Sequence, residues 1–275
     1  MSMSTFTPAP IALLLLSACA DPGDAPLADD FGSWKQVWSD EFDGAANSAP
    51  DAQTWTHEVG GDGWGNNQLE YDTDRTDNVR LDGEGNLEIV ARQEDYKGNS
   101  YTSGRIRTLG LFEQGYGRFE VRAKLPEGQG LWPAFWMLGT DYESVGWPEC
   151  GEIDVLEYRG DETYVSYGTM HGPGYSGNDA IGAQYTLPDG SFTDDFHLFA
   201  VEVDPDHIAW TVDGALYQRL TPADLPDGAR WVFDNEYFLI LNLAVGGWFA
   251  GEPDGDTVFP ATMSVDYVRV SERVE

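Results

Sequence analysis

The chain has 275 residues, long enough for one sizeable core, and its 41% hydrophobic and 13% aromatic content argues against disorder. Lys and Arg total 15 against 48 Asp and Glu, a formal charge of −33. That balance argues against nucleic acid or an anionic membrane surface as partner, and fits a neutral or cationic ligand or a salty medium.

Residues 1–19 read as an export signal. The apolar run at 11–16 is bounded by small residues and is far too short to span a bilayer. Leu16-Ser17-Ala18-Cys19 resembles a bacterial lipobox, in which the Cys becomes the lipid-modified first residue, although no Lys or Arg precedes the run. Residues 20–32, rich in Pro, Gly and Asp, read as a tether, and 33–275 as one folded domain. The expectation is an exported protein, lipid-anchored to the envelope through Cys19 or secreted, with no other membrane contact. Cys19 and Cys150 are the two cysteines, so a modified or removed Cys19 leaves no intramolecular disulfide.

From Ser33 onward the pattern is short strands and turns, with no sustained helical period. Residues 87–92 are strand-like. In 116–125, Phe119, Val121, Ala123 and Leu125 face one way and Arg118, Glu120, Arg122 and Lys124 the other. Ile208, Trp210 and Val212 alternate, and Asp213-Gly214 then signals a type I′ hairpin. The apolar run 237–245 reads as a strand buried on both faces, and 263–270 closes the series. Many strands with Gly and Pro turns imply a sandwich or barrel.

The stretch Gly151-Glu152-Ile153-Asp154-Val155-Leu156-Glu157-Tyr158 carries three carboxylates within six residues. Alternation points Glu152 and Asp154 to one face of a strand and Glu157 to the other. One extra residue at Val155 or Leu156, a β-bulge, returns Glu157 to the acidic face. Two glutamates flanking an aspartate suit retaining glycoside cleavage, which needs two carboxyl groups roughly 5–5.5 Å apart. The aspartate would tune their protonation. On spacing alone, a solvated acidic strand and a calcium site stay open. Cys150, just before the row, reads as a small buried residue rather than a nucleophile.

Aromatic residues gather around this strand. Trp132 and Trp136 lie four apart, on one side of a strand, and suit contact with a sugar's C–H face, as does Trp147; Trp64 lies further upstream. His171 follows a strand at 164–170 expected to neighbour the acidic one, within reach of Glu157 or a sugar hydroxyl. Arg105 offers bidentate bonds to hydroxyls or to a nucleophile, or a surface ion pair.

Glu152-Ile153-Asp154-Val155-Leu156-Glu157 resembles the bulged ExDxxE signature of glycoside hydrolase family 16. Further blocks resemble its laminarinase-like members: Gly63-Trp64-Gly65-Asn66-Asn67-Gln68-Leu69-Glu70-Tyr71, Tyr116-Gly117-Arg118-Phe119-Glu120, Leu131-Trp132-Pro133-Ala134-Phe135-Trp136-Met137-Leu138 and Val265-Asp266-Tyr267-Val268-Arg269-Val270. The resemblance spans roughly residues 36–271. It implies an all-β fold, a β-jelly-roll sandwich of two antiparallel sheets with a concave glycan-binding cleft, and retaining endo-hydrolysis of β-glucan by a monomer that needs no cofactor for catalysis. By position, Glu152 is the nucleophile, Glu157 the general acid/base and Asp154 their helper. Asn66, Arg105, Trp132, Trp136, Trp147 and His171 are the expected sugar contacts. A structural calcium on the convex side would be held by Glu41, the Gly85 carbonyl and Asp266. One block departs: where laminarinase-like members often read Gly-Gly-Asn-Trp-Pro-Gly, this chain has Gly246-Gly247-Trp248-Phe249-Ala250-Gly251.

Overall fold

The computed structural model describes residues 33–274. The leader, Cys19 and the tether lie outside the described residues. In chain order the strands are β1 (Trp34–Asp40), β2 (Thr56–His57), β3 (Glu70–Asp72), β4 (Val79–Leu81), β5 (Leu87–Tyr96) and β6 (Asn99–Ser103). There follow β7 (Arg105–Arg107), β8 (Gly117–Lys124), β9 (Leu131–Gly139), β10 (Glu152–Tyr158), β11 (Val165–His171) and β12 (Ile181–Thr186). The last are β13 (His197–Asp204), β14 (His207–Val212), β15 (Ala215–Leu220), β16 (Tyr237–Val245) and β17 (Ala261–Arg273). Two single-turn helices, α1 (Tyr142–Val145) and α2 (Gly247–Ala250), sit in loops.

These strands form two stacked sheets, a jelly-roll sandwich. The cleft sheet runs β12-β11-β10-β9-β16-β7-β2. The other runs β15-β14-β13-β8-β17-β5-β6-β3, with β1 added on β17 and β4 on β5. One pairing corrects the expectation of wholly antiparallel sheets: β3 and β6 pair in parallel, Glu70 opposite Tyr101. Parallel neighbours need a long crossover, and β4 and β5 supply it.

The expected strands are present. In β8, Phe119, Val121 and Ala123 are fully buried while the charged residues between them are not. Asp213 and Gly214 take φ of +50° and +79°, the double positive that a type I′ turn requires, and join β14 to β15. All nine residues of β16 are buried. Its odd-numbered side chains, Tyr237 to Val245, enter the core, while Asn242 on the other face joins the cleft.

The core explains why an acidic row is tolerated. Ile153, Val155, Leu156 and Tyr158 of β10 are each at most 2% exposed and belong to the inter-sheet core. Burying each such side chain is worth roughly 1.5–3 kcal/mol. Across the core, Trp210 of β14 donates from Nε1 to the Asp154 carbonyl at 2.8 Å, fastening β10 to the opposite sheet beside its irregularity.

Candidate active site

The register of β10 breaks where the sequence reading places it. Glu152, Ile153 and Asp154 pair in order with His171, Met170 and Thr169 of β11, and pairing resumes at Glu157 opposite Tyr167. Against β9 the break falls between Asp154 and Leu156. Val155 and Leu156 are consecutive residues that both enter the core, which strict alternation forbids and a bulge allows. Glu157 therefore shares the cleft face with Glu152 and Asp154.

Each glutamate has its own indole donor. Trp147 Nε1 donates to Glu152 Oε2 at 2.8 Å, and Trp132 Nε1 donates to Glu157 Oε1 at 3.1 Å. Burial pushes Glu152 up to about 7, reinforced by the charge of Asp154. Burial pushes Glu157 higher, to about 8, again with Asp154 adding to it. Burial and the neighbouring charges thus favour a proton held between the two carboxyls, and the pair can present one carboxylate and one carboxylic acid near neutrality. A nucleophile and a general acid require that combination.

His171 stands opposite Glu152. Its Nε2 lies 3.2 Å from Asp154 Oδ2 and 3.7 Å from Glu152 Oε1, so it addresses those two acids rather than Glu157, the acid named in the sequence reading. Burial opposes a charge on the imidazole, but Glu152, Asp154 and Glu157 raise its pKa to about 9. The Gly177 backbone N–H donates to Nδ1 at 3.2 Å. With Nδ1 accepting, the neutral ring carries its proton on Nε2, aimed at the acids. The cation that the three carboxylates favour forms only when Nδ1 gives up the Gly177 bond.

The remaining predicted contacts are distributed across the sheet. Trp136 Nε1 donates to Asn242 Oδ1 at 2.8 Å. Arg105 lies between two indoles, 4.6 Å from the Trp64 ring and 4.8 Å from the Trp136 ring. Its Nε donates to Glu58, which also accepts from Arg107 Nη1 at 2.7 Å. Arg105 is thus held in a part-buried ion pair; among the described residues it makes no bond to Glu152. Asn66 is exposed; its carbonyl accepts from Trp248 N at 3.0 Å, and among the described residues its side chain forms no hydrogen bond to the acids. In the departing block, Phe249 packs 5.0 Å from Trp132 and 5.4 Å from Tyr167, and Trp248 is 66% exposed. Cys150 is buried, its thiol pushed up to about 11 by burial and then by Glu152, so it stays protonated as the sequence reading expects.

The expected calcium residues belong to the other sheet. Glu41 accepts two bonds from Arg269, at 3.0 and 2.8 Å, and Asp266 accepts from Arg122. A cation at these oxygens has to displace two guanidinium groups, so the residues as arranged do not form a ready cage. Gly85, with φ of +92°, turns the chain beside Asp43.

Several site-supporting residues escape the sequence reading: Asn242, Glu58, Trp210 as an anchor, and the pair Glu70 and Asp72. The last two are fully buried. Glu70 Oε2 accepts from Val245 N at 2.8 Å, while Glu70 Oε1 and Asp72 Oδ1 are buried without partners. Burial raises Glu70 to about 7 from 4.5 and Asp72 well above the usual carboxylate range. A raised carboxyl pKa means the folded state binds the proton more tightly. The stability it confers is complete below pH ~4.5 and is lost as pH rises through about 7, a total of about 3 kcal/mol. Glu70→Gln keeps an acceptor for Val245 and removes the charge. We expect its melting temperature to match the wild type near pH 4.5 and exceed it by several degrees at pH 8.5. Equal melting temperatures at both pH values would refute a strained Glu70.

A jelly-roll sandwich whose cleft face carries two buried glutamates, each held by an indole N–H, is the layout of an enzyme that cleaves glycans. The chain belongs to the glycosyl hydrolases family 16, whose sequence profile matches residues 63–269. It is similar to the β-glucanase of Rhodothermus marinus, 43% identical over 274 residues covering 96% of this chain and 93% of that protein. Among solved structures it is similar to the laminarinase catalytic domain of Thermotoga maritima MSB8, at 47% identity and TM-score 0.83, covering 88% and 99% of the two chains. The endo-β-1,3-glucanase of Pyrococcus furiosus gives 46% identity and TM-score 0.84, covering 90% and 97%.

Proposed function

We propose that the chain is a retaining endo-β-1,3-glucanase acting on laminarin-type glucan. The observation that carries this is the bulge at Val155 and Leu156, which gives Glu152 and Glu157 one face and one substrate. Ionised Glu152 attacks the anomeric carbon while protonated Glu157 passes its proton to the departing oxygen. The glycosyl–Glu152 ester forms as the glycosidic bond breaks. Glu157, now ionised, takes a proton from water, whose oxygen displaces Glu152 from the anomeric carbon. Asp154 raises the proton affinity of both glutamates, and the Trp147 indole orients the nucleophile.

The substrate is a neutral glucan rather than a sulfated galactan, because sulfates need basic subsites and Lys plus Arg number 15. Reducing-sugar release from laminarin, mixed-linkage β-1,3-1,4-glucan, agarose and carrageenan decides the matter. Laminarin should give the fastest release, with oligosaccharides of several lengths appearing early. Binding of laminarin without any product over a long incubation would instead mark a glycan-binding protein and defeat the proposal.

A further inference from the structure

On the cleft face, Arg105 carries a donor fork that no protein group fills. The Trp64 and Trp136 rings flank its guanidinium at 4.6 and 4.8 Å, and Glu58 takes its Nε edge. The two Nη groups make no hydrogen bond among the described residues and are not closed off from solvent. A guanidinium held at Nε and between two rings presents its Nη pair in a fixed plane, suited to two neighbouring hydroxyl oxygens. Pairing places this fork beside the acids. Trp136 stands opposite Asp154 where β9 meets β10, and Asn242, which accepts from the Trp136 indole, stands opposite Arg105 where β16 meets β7. The backbone of β7 is three strands from β10, about 14 Å away, and the side chain leans back as far as Trp136 on β9. The fork therefore stops about one strand spacing short of the acids, over a unit next to the one being cleaved.

Glu58 has competitors for that charge. Glu70 and Asp72 are buried, and both feel the positive charge of Arg105. Glu70 Oε1 and Asp72 Oδ1 have no partner. A buried carboxylate oxygen without a partner is costly, and a guanidinium turned inward would relieve it. Glu58 opposes that turn because it is fixed at two other points. Its backbone N–H donates to the Arg105 carbonyl at 2.9 Å, and its second oxygen accepts from Arg107 Nη1 at 2.7 Å. Its carboxylate cannot follow Arg105 inward without breaking the Arg107 bond.

We propose that Glu58 is a positioning residue: it holds the Arg105 fork open toward the hydroxyls of the glucosyl unit beside the cleaved one, and keeps that fork off Glu70 and Asp72. The inference rests on the glucanase reading above.

The test is steady-state kinetics on a linear β-1,3-glucan hexasaccharide. For Glu58→Gln, KM should rise about tenfold, the loss of one charge-assisted fork. Its kcat should change less than about threefold, because the fork binds ground state and transition state alike. Adding Glu70→Gln and Asp72→Asn removes the inward partners while keeping their shapes, and KM should return to within about threefold of wild type. In Arg105→Ala the fork is already gone, so adding Glu58→Gln should move KM less than about twofold further. An unchanged KM for Glu58→Gln, no recovery in the triple variant, or a full additive rise on Arg105→Ala would overturn the positioning role. A wild type that leaves the hexasaccharide intact would overturn the glucanase reading itself.

Discussion

Glu152→Gln lowers turnover of laminarin by at least about 10⁴-fold, because no covalent intermediate can form without the carboxylate. The fold survives: Gln has the shape of Glu, keeps an acceptor for the Trp147 indole, and removes a charge that burial disfavours. The melting temperature should therefore stay level or rise. Glu152→Gly sharpens the test. The gap left by the side chain admits azide to the face from which Glu152 attacks, so azide should restore cleavage and yield the α-glycosyl azide, with the glycosidic bond broken once and inverted. A β-azide, or turnover within tenfold of wild type for Glu152→Gln, would contradict the assignment.

Glu157 has a different signature. As the proton donor, it contributes about 10²–10⁴-fold on a poor leaving group such as a sugar hydroxyl. Glu157→Gln should lose that much on laminarin, yet keep the first step on a dinitrophenyl glucoside, whose leaving group needs no proton. The pH dependence separates the two residues further. Activity needs Glu152 ionised, so it rises with pH through about 7, and Glu157 protonated, so it falls through about 8. The wild type should show a narrow optimum near neutrality, with apparent values that belong to the interacting pair. The alkaline limb should vanish for Glu157→Gln on the activated substrate. If that limb survived, the proton would belong to another group, with His171 next in line.

The bulge was legible in the sequence because acids carry an unmistakable cost. Three carboxylates fall within six residues, and alternation leaves Glu157 one residue off the face of Glu152 and Asp154; spacing leaves a solvated acidic strand open, and the flanking aromatic blocks are what favour a shared face. The strand pattern was legible for a similar reason: β8 and β16 advertise their burial through alternation and continuity. What escaped lies in contacts between distant parts of the chain. Trp210 anchors the Asp154 carbonyl from 56 residues away, and nothing in its own alternating strand shows that the indole N–H has a partner in the opposite sheet. Glu58 meets Arg105 across 47 residues. Glu70 and Asp72 are buried carboxylates in a chain so acidic that a surface reading is natural; their burial is set by Val245 and by the parallel pairing with β6. Trp147 was legible as an aromatic near the site, but its bond to the nucleophile depends on how the loop before Glu152 turns back over the strand.

In the proposed reaction two carboxyls flank one glycosidic bond from opposite faces of the sugar. Proton NMR of laminarin hydrolysis in its first minutes tests this most directly, before mutarotation mixes the anomers. The new reducing ends should appear first as the β-anomer. The α-anomer appearing first would mean direct displacement by water, and Glu152 would not be a nucleophile.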